Sequence, residues 1–211
     1  MKVSFNDILL PNPQYPSKPR KINIEVNQSG LLLLPPSSGK TLLFEHIIGV
    51  RDKIPGEILI NNIRVDLDLK SKFFELRKKM GILFEIPVLI SNLTLHENLR
   101  LILKNASTSN GENHSQDRIS TFLKRFRLEK FSGSRPSELT QSQKKVAAFI
   151  MAIIHKPELL IWDEPHFNFD EDIKLEVKKE LNNLSSRNGL MLGISSSPTA
   201  FENINLENYT L

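Results

Sequence analysis

The apolar positions of the chain fall into two kinds of pattern. Leu159, Leu160, Ile161 and Trp162 run without a polar break into Asp163, Glu164 and Pro165. Four apolar residues closing on acids predict a strand buried on both faces of a parallel sheet, with chemistry at its C-terminal end. Leu31–Leu34, the segment around MGILFE and the segment GLMLGIS near the end of the chain read as further strands. Between them the period changes to that of amphipathic helices, in TLLFEHIIG, QKKVAAFIMAIIH and residues 171–188, the last with a Glu/Lys face expected to be solvated. Leu93–Leu103 opens with Thr94 and carries Glu97 three residues on, a capping-box pattern. Arg118–Phe131 places Ile119, Phe122, Leu123 and Phe126 on one stripe, expected in the core.

The first thirty residues differ. KVSFND and INIEV predict an antiparallel edge, joined by a turn in which prolines at 11, 13, 16 and 19 forbid regular structure. PGEILINNIRV predicts a hairpin turning at Asn61-Asn62. Residues 105–117, NASTSNGENHSQD, lack apolar period and are rich in turn formers, so a mobile loop is expected there.

Composition narrows the classes. With 211 residues, 39% of them hydrophobic, the chain can bury one sizeable core, and one domain with an inserted lobe is expected. The sequence has no apolar run long enough to span a membrane and no signal-like start. Zero cysteines exclude disulfides and thiolate metal sites. The net charge of +4 is spread along the chain and reads as a solvated surface.

Two stretches carry candidate chemistry. Gly39, Lys40 and Thr41 match the end of G-x-x-x-x-G-K-[ST], between four leucines and an amphipathic helix. In that motif backbone N–H groups, here from Ser37, Ser38, Gly39 and Leu42 as well, form an anion nest. The lysine reaches the β/γ-phosphates, and the Thr hydroxyl meets Mg2+. Leu34 stands where the motif has its first glycine, Ser37 replaces another, and Pro36 removes an N–H. Because Leu cannot freely take the positive φ open to Gly, a displaced loop is expected. The second stretch resembles P-loop nucleotide hydrolases, which implies Asp163 as a holder of Mg2+ and Glu164 as the residue that polarises an attacking water; a core strand followed by a solvated turn is the alternative.

The order GKT, LTLHEN, PSELTQSQ, LLIWDEP and FD resembles the ATP-binding cassette (ABC) ATPases over nearly the whole chain. The resemblance implies an α/β P-loop NTPase core with a mostly parallel sheet, an antiparallel N-terminal β region and an inserted α-helical lobe. It implies a single nucleotide-binding domain over 1–211, with a core lobe at 1–86 and 157–211 and a helical lobe at 87–156. ATP and Mg2+ are the implied ligands, the metal held partly through water by Thr41, Asp163 and Glu85. Tyr15, the only aromatic in the Pro-rich turn, takes the place of the adenine-stacking residue. Leu139, Thr140, Gln141, Ser142 and Gln143 stand where the family has its LSGGQ signature, which acts in trans on the opposite subunit's γ-phosphate. Asp170 matches the interface aspartate, and Ser196 takes the position of the switch histidine.

The departures shape the expected activity. Gln141 and Ser142 replace both signature glycines, Glu85 replaces a glutamine, and Ser196 is shorter than an imidazole. Weak ATP hydrolysis, or hydrolysis only with a second ATPase subunit, is expected; a catalytically inactive structural or regulatory subunit is the alternative. Transmembrane permease subunits are the implied partners, on the cytoplasmic face of the inner membrane, and no nucleic acid is expected. The segments RKKMGILFEIPVLISNLTLHENL and PSELTQ are similar to the ATPases of lipid-asymmetry and MCE-type transporters. That similarity implies phospholipid cargo and MCE-type lipid-binding subunits.

Overall fold

The computed structural model of the chain describes residues 1–12, 14–15, 17–51, 54–66, 72–106, 112–165, 169–197 and 207–210. Two sheets organise it. The first is antiparallel, with β1 (Val3–Leu10), β2 (Arg20–Val26), β4 (Glu57–Ile60) and β5 (Ile63–Arg64) in the order β2-β1-β4-β5. β1 and β2 form the expected edge, and Phe5 is buried in it. The hairpin between β4 and β5 turns where expected: Asn61 and Asn62 have φ of 50° and 63°, the left-handed pair a two-residue I′ turn requires.

The second sheet is parallel, in the order β6-β7-β8-β3-β9. Its strands are β3 (Gly30–Leu33), β6 (Met80–Leu83), β7 (Leu159–Asp163), β8 (Leu190–Ser195) and β9 (Glu207–Thr210). Every residue of β7 and β8 is buried, which is why neither shows alternation in sequence. One face of the sheet packs with the antiparallel strands, with α1 (Lys40–Ile47) and with α2 (Lys72–Arg77). The other face carries α3 (Leu95–Ala106), α4 (Glu112–Arg125), α5 (Gln141–Ile153) and α6 (Glu171–Ser186). Rings of Phe122, Phe126, Phe149, Trp162 and Phe169 connect α4 through α5 to the end of β7, with centroids 5.8–6.5 Å apart. At Gly81 on β6 a Cβ would lie 2.2 Å from the carbonyl oxygen of Ala152, so glycine is what lets α5 approach the sheet.

Three expectations are corrected. The loop predicted over 105–117 is helical over most of its length: α3 runs to Ala106 and α4 starts at Glu112, while 107–111 fall outside the described residues. The polar stretch 112–117 adds turns to a helix nucleated by the buried Ile119, Phe122 and Leu123, and extension costs far less than nucleation. The helix also ends earlier than predicted, at Arg125, with a turn through Arg127 at φ 58° and a short 3-10 turn at Glu129–Phe131. The charged face of α6 is not simply solvated either. Glu176 and Glu180 bind the Arg125 guanidinium at 2.7–2.8 Å, tying α6 to α4.

The capping box at the start of α3 forms as expected, with Thr94 N–H donating to Glu97 at 2.7 Å and Glu97 N–H to Thr94 Oγ1 at 3.2 Å. One turn on lies Asn98, fully buried. Its carbonyl accepts from Ile90 N–H at 2.8 Å, and its amide faces the carbonyl oxygens of Ile90, Leu93 and Thr94 at 2.9–3.3 Å. This side chain pins the irregular segment 86–93 onto the helix. Asn98→Ala leaves those backbone groups unsatisfied, so a loss of about 1–3 kcal/mol is expected, measured by urea unfolding.

Candidate active site

Strand order brings the candidate residues to one edge. β8 lies between β3 and β7, pairing Leu33 with Ser195 on one side and Asp163 with Ile194 on the other. The loops leaving β3, β7 and β8 therefore emerge side by side at the C-terminal edge of the sheet, where parallel α/β proteins build their sites. β6 ends at the same edge and delivers Glu85.

The loop after β3 keeps its register despite its lost glycines. Leu34 is buried, and its N–H donates to Ser195 O at 2.9 Å. It does not take positive φ, so the displacement expected at Leu34 does not arise. The strain falls at Ser37, with φ of 60°, where a side chain costs roughly 1–2 kcal/mol in the left-handed region. Gly39 follows at φ 84°, with Pro11 packed so that a Cβ there would lie 2.8 Å from Pro11 Cδ. No side chain caps α1, which leaves the N–H groups of its first turn facing outward for an anion. Ser38 is fully buried and its hydroxyl has no partner; Thr41 is exposed and Leu42 half-buried.

Lys40 and Glu164, 124 residues apart, form a direct ion pair through Nζ and Oε1. The same carboxylate accepts from Ser195 Oγ at 2.6 Å, from Ser196 N–H at 3.2 Å and from Ser196 Oγ at 3.1 Å. Glu164 itself turns at φ 45°, its N–H donating to Ile194 O at 2.9 Å. Burial alone would push its carboxyl up, but the bonds from Lys40 and Ser195 outweigh that and hold it below the usual carboxylate range. Asp163 moves the other way, pushed up to about 6 by burial and by the charges of Glu85 and Glu164, against the pull of Lys40.

The remaining candidates are placed as follows. Glu85 is exposed and lines a cleft of about 380 Å³ together with Glu164, Gln141, Lys145 and Trp162. Tyr15 is 61% exposed. Thr140 caps α5: its hydroxyl accepts from Gln143 N–H at 3.2 Å, and Gln143 Oε1 accepts from Thr140 N–H at 2.8 Å. Leu139 is buried beneath this turn, with Gln141 and Ser142 exposed on it. Asp170 is the exposed N-cap of α6, while His166–Asn168 before it fall outside the described residues. Ser196 is exposed, with its hydroxyl donating to Glu164 Oε1 at 3.1 Å. The sequence reading missed Ser195: the available signal was a hydroxyl ending a strand that neighbours the acidic one.

The donor set fits Mg2+ by its chemistry. The Thr41 hydroxyl and the carboxylates of Asp163 and Glu85 are hard oxygen ligands, and the raised Asp163 marks a place short of positive charge. Among the described residues no group of three His, Asp or Glu side chains is close enough to cage an ion.

The Asp163 shift carries a pH signature. Between 3.8 and about 6 the native state holds a proton that the unfolded chain has lost, so stability falls as pH rises through that window. Asp163→Asn should therefore stabilise the metal-free protein at pH 8 by up to about 3 kcal/mol, with the gain vanishing near pH 4. Thermal melts across pH would read this; Mg2+ at pH 8 should raise the wild-type Tm and leave D163N unmoved.

Comparison with known proteins agrees with this geometry. Residues 20–167 match the family model described as ABC transporter. The chain is 29% identical over 169 residues to the spermidine/putrescine import ATP-binding protein of Thermotoga maritima, covering 80% of this chain and 44% of that protein. It is 26% identical over 197 residues to the energy-coupling factor transporter ATP-binding protein of Methanothermobacter thermautotrophicus, covering 92% and 62%. The matched part thus spans about half the length of the curated relatives. Among solved structures, one titled as an ATP binding subunit of an ABC transporter superposes with a TM-score of 0.76 at 26% identity, covering 95% of this chain and 82% of that one. A dimeric ATP-binding cassette bound to ADP and Pi superposes with a TM-score of 0.74 at 22% identity, covering 94% and 89%, a likeness of fold. With the fold, the edge of the sheet and the family model in agreement, the chain belongs to the ABC transporter family.

Proposed function

We propose that this chain binds ATP at the edge where β3, β7 and β8 end, and hydrolyses it weakly unless a second ATPase chain completes the site. The meeting of Lys40 with Glu164 is the observation that carries this reading. The N-terminus of α1 and the left-handed turns at Ser37 and Gly39 offer N–H groups to the β- and γ-phosphates. A triphosphate is a stronger partner for Lys40 than one carboxylate. As the lysine turns to it, Glu164 keeps its bonds to Ser195 and Ser196 and stays ionised to accept a proton from water. Mg2+, held by Thr41, Asp163 and Glu85, would neutralise phosphate charge. The exposed ring of Tyr15 is available to stack on adenine.

The opposite side of the nucleotide would come from the partner chain's signature, the counterpart of Leu139–Gln143 here, with Asp170 at the interface. Gln141 and Ser142 add side chains where backbone must reach phosphate. Losing one such donor costs about 2.7–4 kcal/mol, or roughly 10²–10³ in rate, so a homodimer would turn over slowly. The same substitutions, with Lys40 already paired to Glu164, favour the second reading, an inactive regulatory subunit.

Permease docking is supported by the apolar segment after β6, where Ile86, Val88 and Ile90 are 76%, 58% and 41% exposed. No helix among the described residues is long and apolar enough to cross a membrane, so attachment at the inner face of the cytoplasmic membrane would be peripheral. The division into a core lobe and a helical lobe at 87–156 belongs to the same proposal. Phospholipid cargo and MCE-type partners rest on the Arg77–Leu99 and Pro136–Gln141 segments alone; the relatives are named for other cargoes.

Lys40→Ala should weaken binding of a fluorescent ATP analogue at least about tenfold, the loss of one charge-assisted contact. Unchanged binding would sink the nucleotide site. Glu164→Gln should retain binding and lose turnover, and robust Glu164-dependent turnover by a homodimer would refute partner dependence. Turnover absent even with the co-purified membrane partners would decide for the inactive subunit, and the lipid or protein content of that complex would test the cargo.

A further inference from the structure

We infer that Ser195 is a positioning residue for Glu164, fixing which carboxylate oxygen faces the reacting water. The inference rests on the proposed ATPase reading and adds to it a role for Ser195, the residue directly before the switch position. Ser195 is fully buried at the last position of β8, and both its carbonyl and its hydroxyl are committed. Its carbonyl accepts from Leu34 N–H at 2.9 Å, which ties it to the start of the phosphate loop. Its hydroxyl oxygen accepts from Ser197 N–H at 3.1 Å. With that N–H occupying one side of the oxygen, the hydroxyl hydrogen is directed at Glu164 Oε2, 2.6 Å away.

The carboxylate is therefore divided. Oε2 is tethered by a buried donor whose own direction is fixed, whereas Oε1 meets the half-buried Lys40 and the hydroxyl of the exposed Ser196, whose N–H is shared between the two oxygens at 3.2 and 3.3 Å. When Lys40 leaves for phosphate, Oε1 keeps only its Ser196 contacts and is the oxygen that gains room for water. It accepts a proton from the attacking water while the water oxygen bonds to the γ-phosphorus and the bond to the β–γ bridging oxygen breaks, releasing ADP. Without the tether the carboxylate can rotate about its terminal torsion, a broad and soft one for Glu. The ion pair with Lys40 is made through Oε1 and does not use the tether.

The test compares wild type, Ser195→Ala and Ser195→Thr as full-length chains. S195A should lower kcat for ATP about tenfold to a hundredfold, the effect of one hydrogen bond to a charged group, with KM unchanged within about twofold. S195T restores the hydroxyl and should recover kcat. Wild-type kcat in S195A would overturn the inference, as would a KM effect without a kcat effect. A second readout does not need turnover. The carboxyl carbon resonance of Glu164, assigned against Glu164→Gln in 13C-labelled apo protein at one pH, should move in S195A and return in S195T. If wild type shows no hydrolysis, the ATPase reading fails by itself. The resonance still decides the tether, and one that does not move in S195A overturns it.

Discussion

The hydrogen-bond register of a single strand governs this molecule. β8 is paired on both sides, and its last residues are held between the strand that feeds the phosphate loop and the strand that ends in acids. Because parallel pairing fixes which residues stand abreast, Lys40 and Glu164 meet across 124 residues of chain with no further device. A slip of one residue would turn buried side chains to the opposite face and separate the pair. The full burial of β7 and β8 makes such a slip expensive, so core packing also sets the site's geometry.

Around that register, charges are arranged in opposition. Two neighbouring carboxyls are driven apart: Glu164 is held ionised by Lys40 and Ser195, and Asp163 is raised by burial and by acids without a comparable donor. Divergent titration of adjacent acids is a recurring mark of functional sites. Glu85, in place of a neutral amide, deepens the deficit of positive charge. The strained backbone at Ser37 and Glu164 sits at the same edge, where surrounding packing over-determines it.

The helical layer serves the site from behind. A run of rings from Phe122 to Trp162 joins α4 and α5 to the acidic strand, and Arg125 bridges α4 to two glutamates of α6. Asn98 fixes the exposed apolar segment after β6 through four backbone contacts. That segment leads directly out of Glu85, so whatever covers Ile86 and Val88 acts one residue from the candidate metal site.

The sequence by itself determined the element types, the two ends of the site and the family resemblance. Unbroken apolar runs, the G-K-T loop, the Asp-Glu pair and the capping box at Thr94 and Glu97 are local signals, written in nearby residues. Where local signals were weak, the reading failed. The polar stretch 112–117 carries no period and is helical because its neighbour Ile119 is anchored in the core. Leu34 was expected to distort the loop, yet the strain appears three residues on, because which residue needs positive φ depends on the packed loop and not on the motif. Ser195 was invisible as a partner of Glu164, since their contact spans 31 residues and exists only through strand order. Composition and spacing fix what each segment can become; only the packed sheet decides which distant side chains share one carboxylate, because that depends on register, burial and the paths of the crossing helices together.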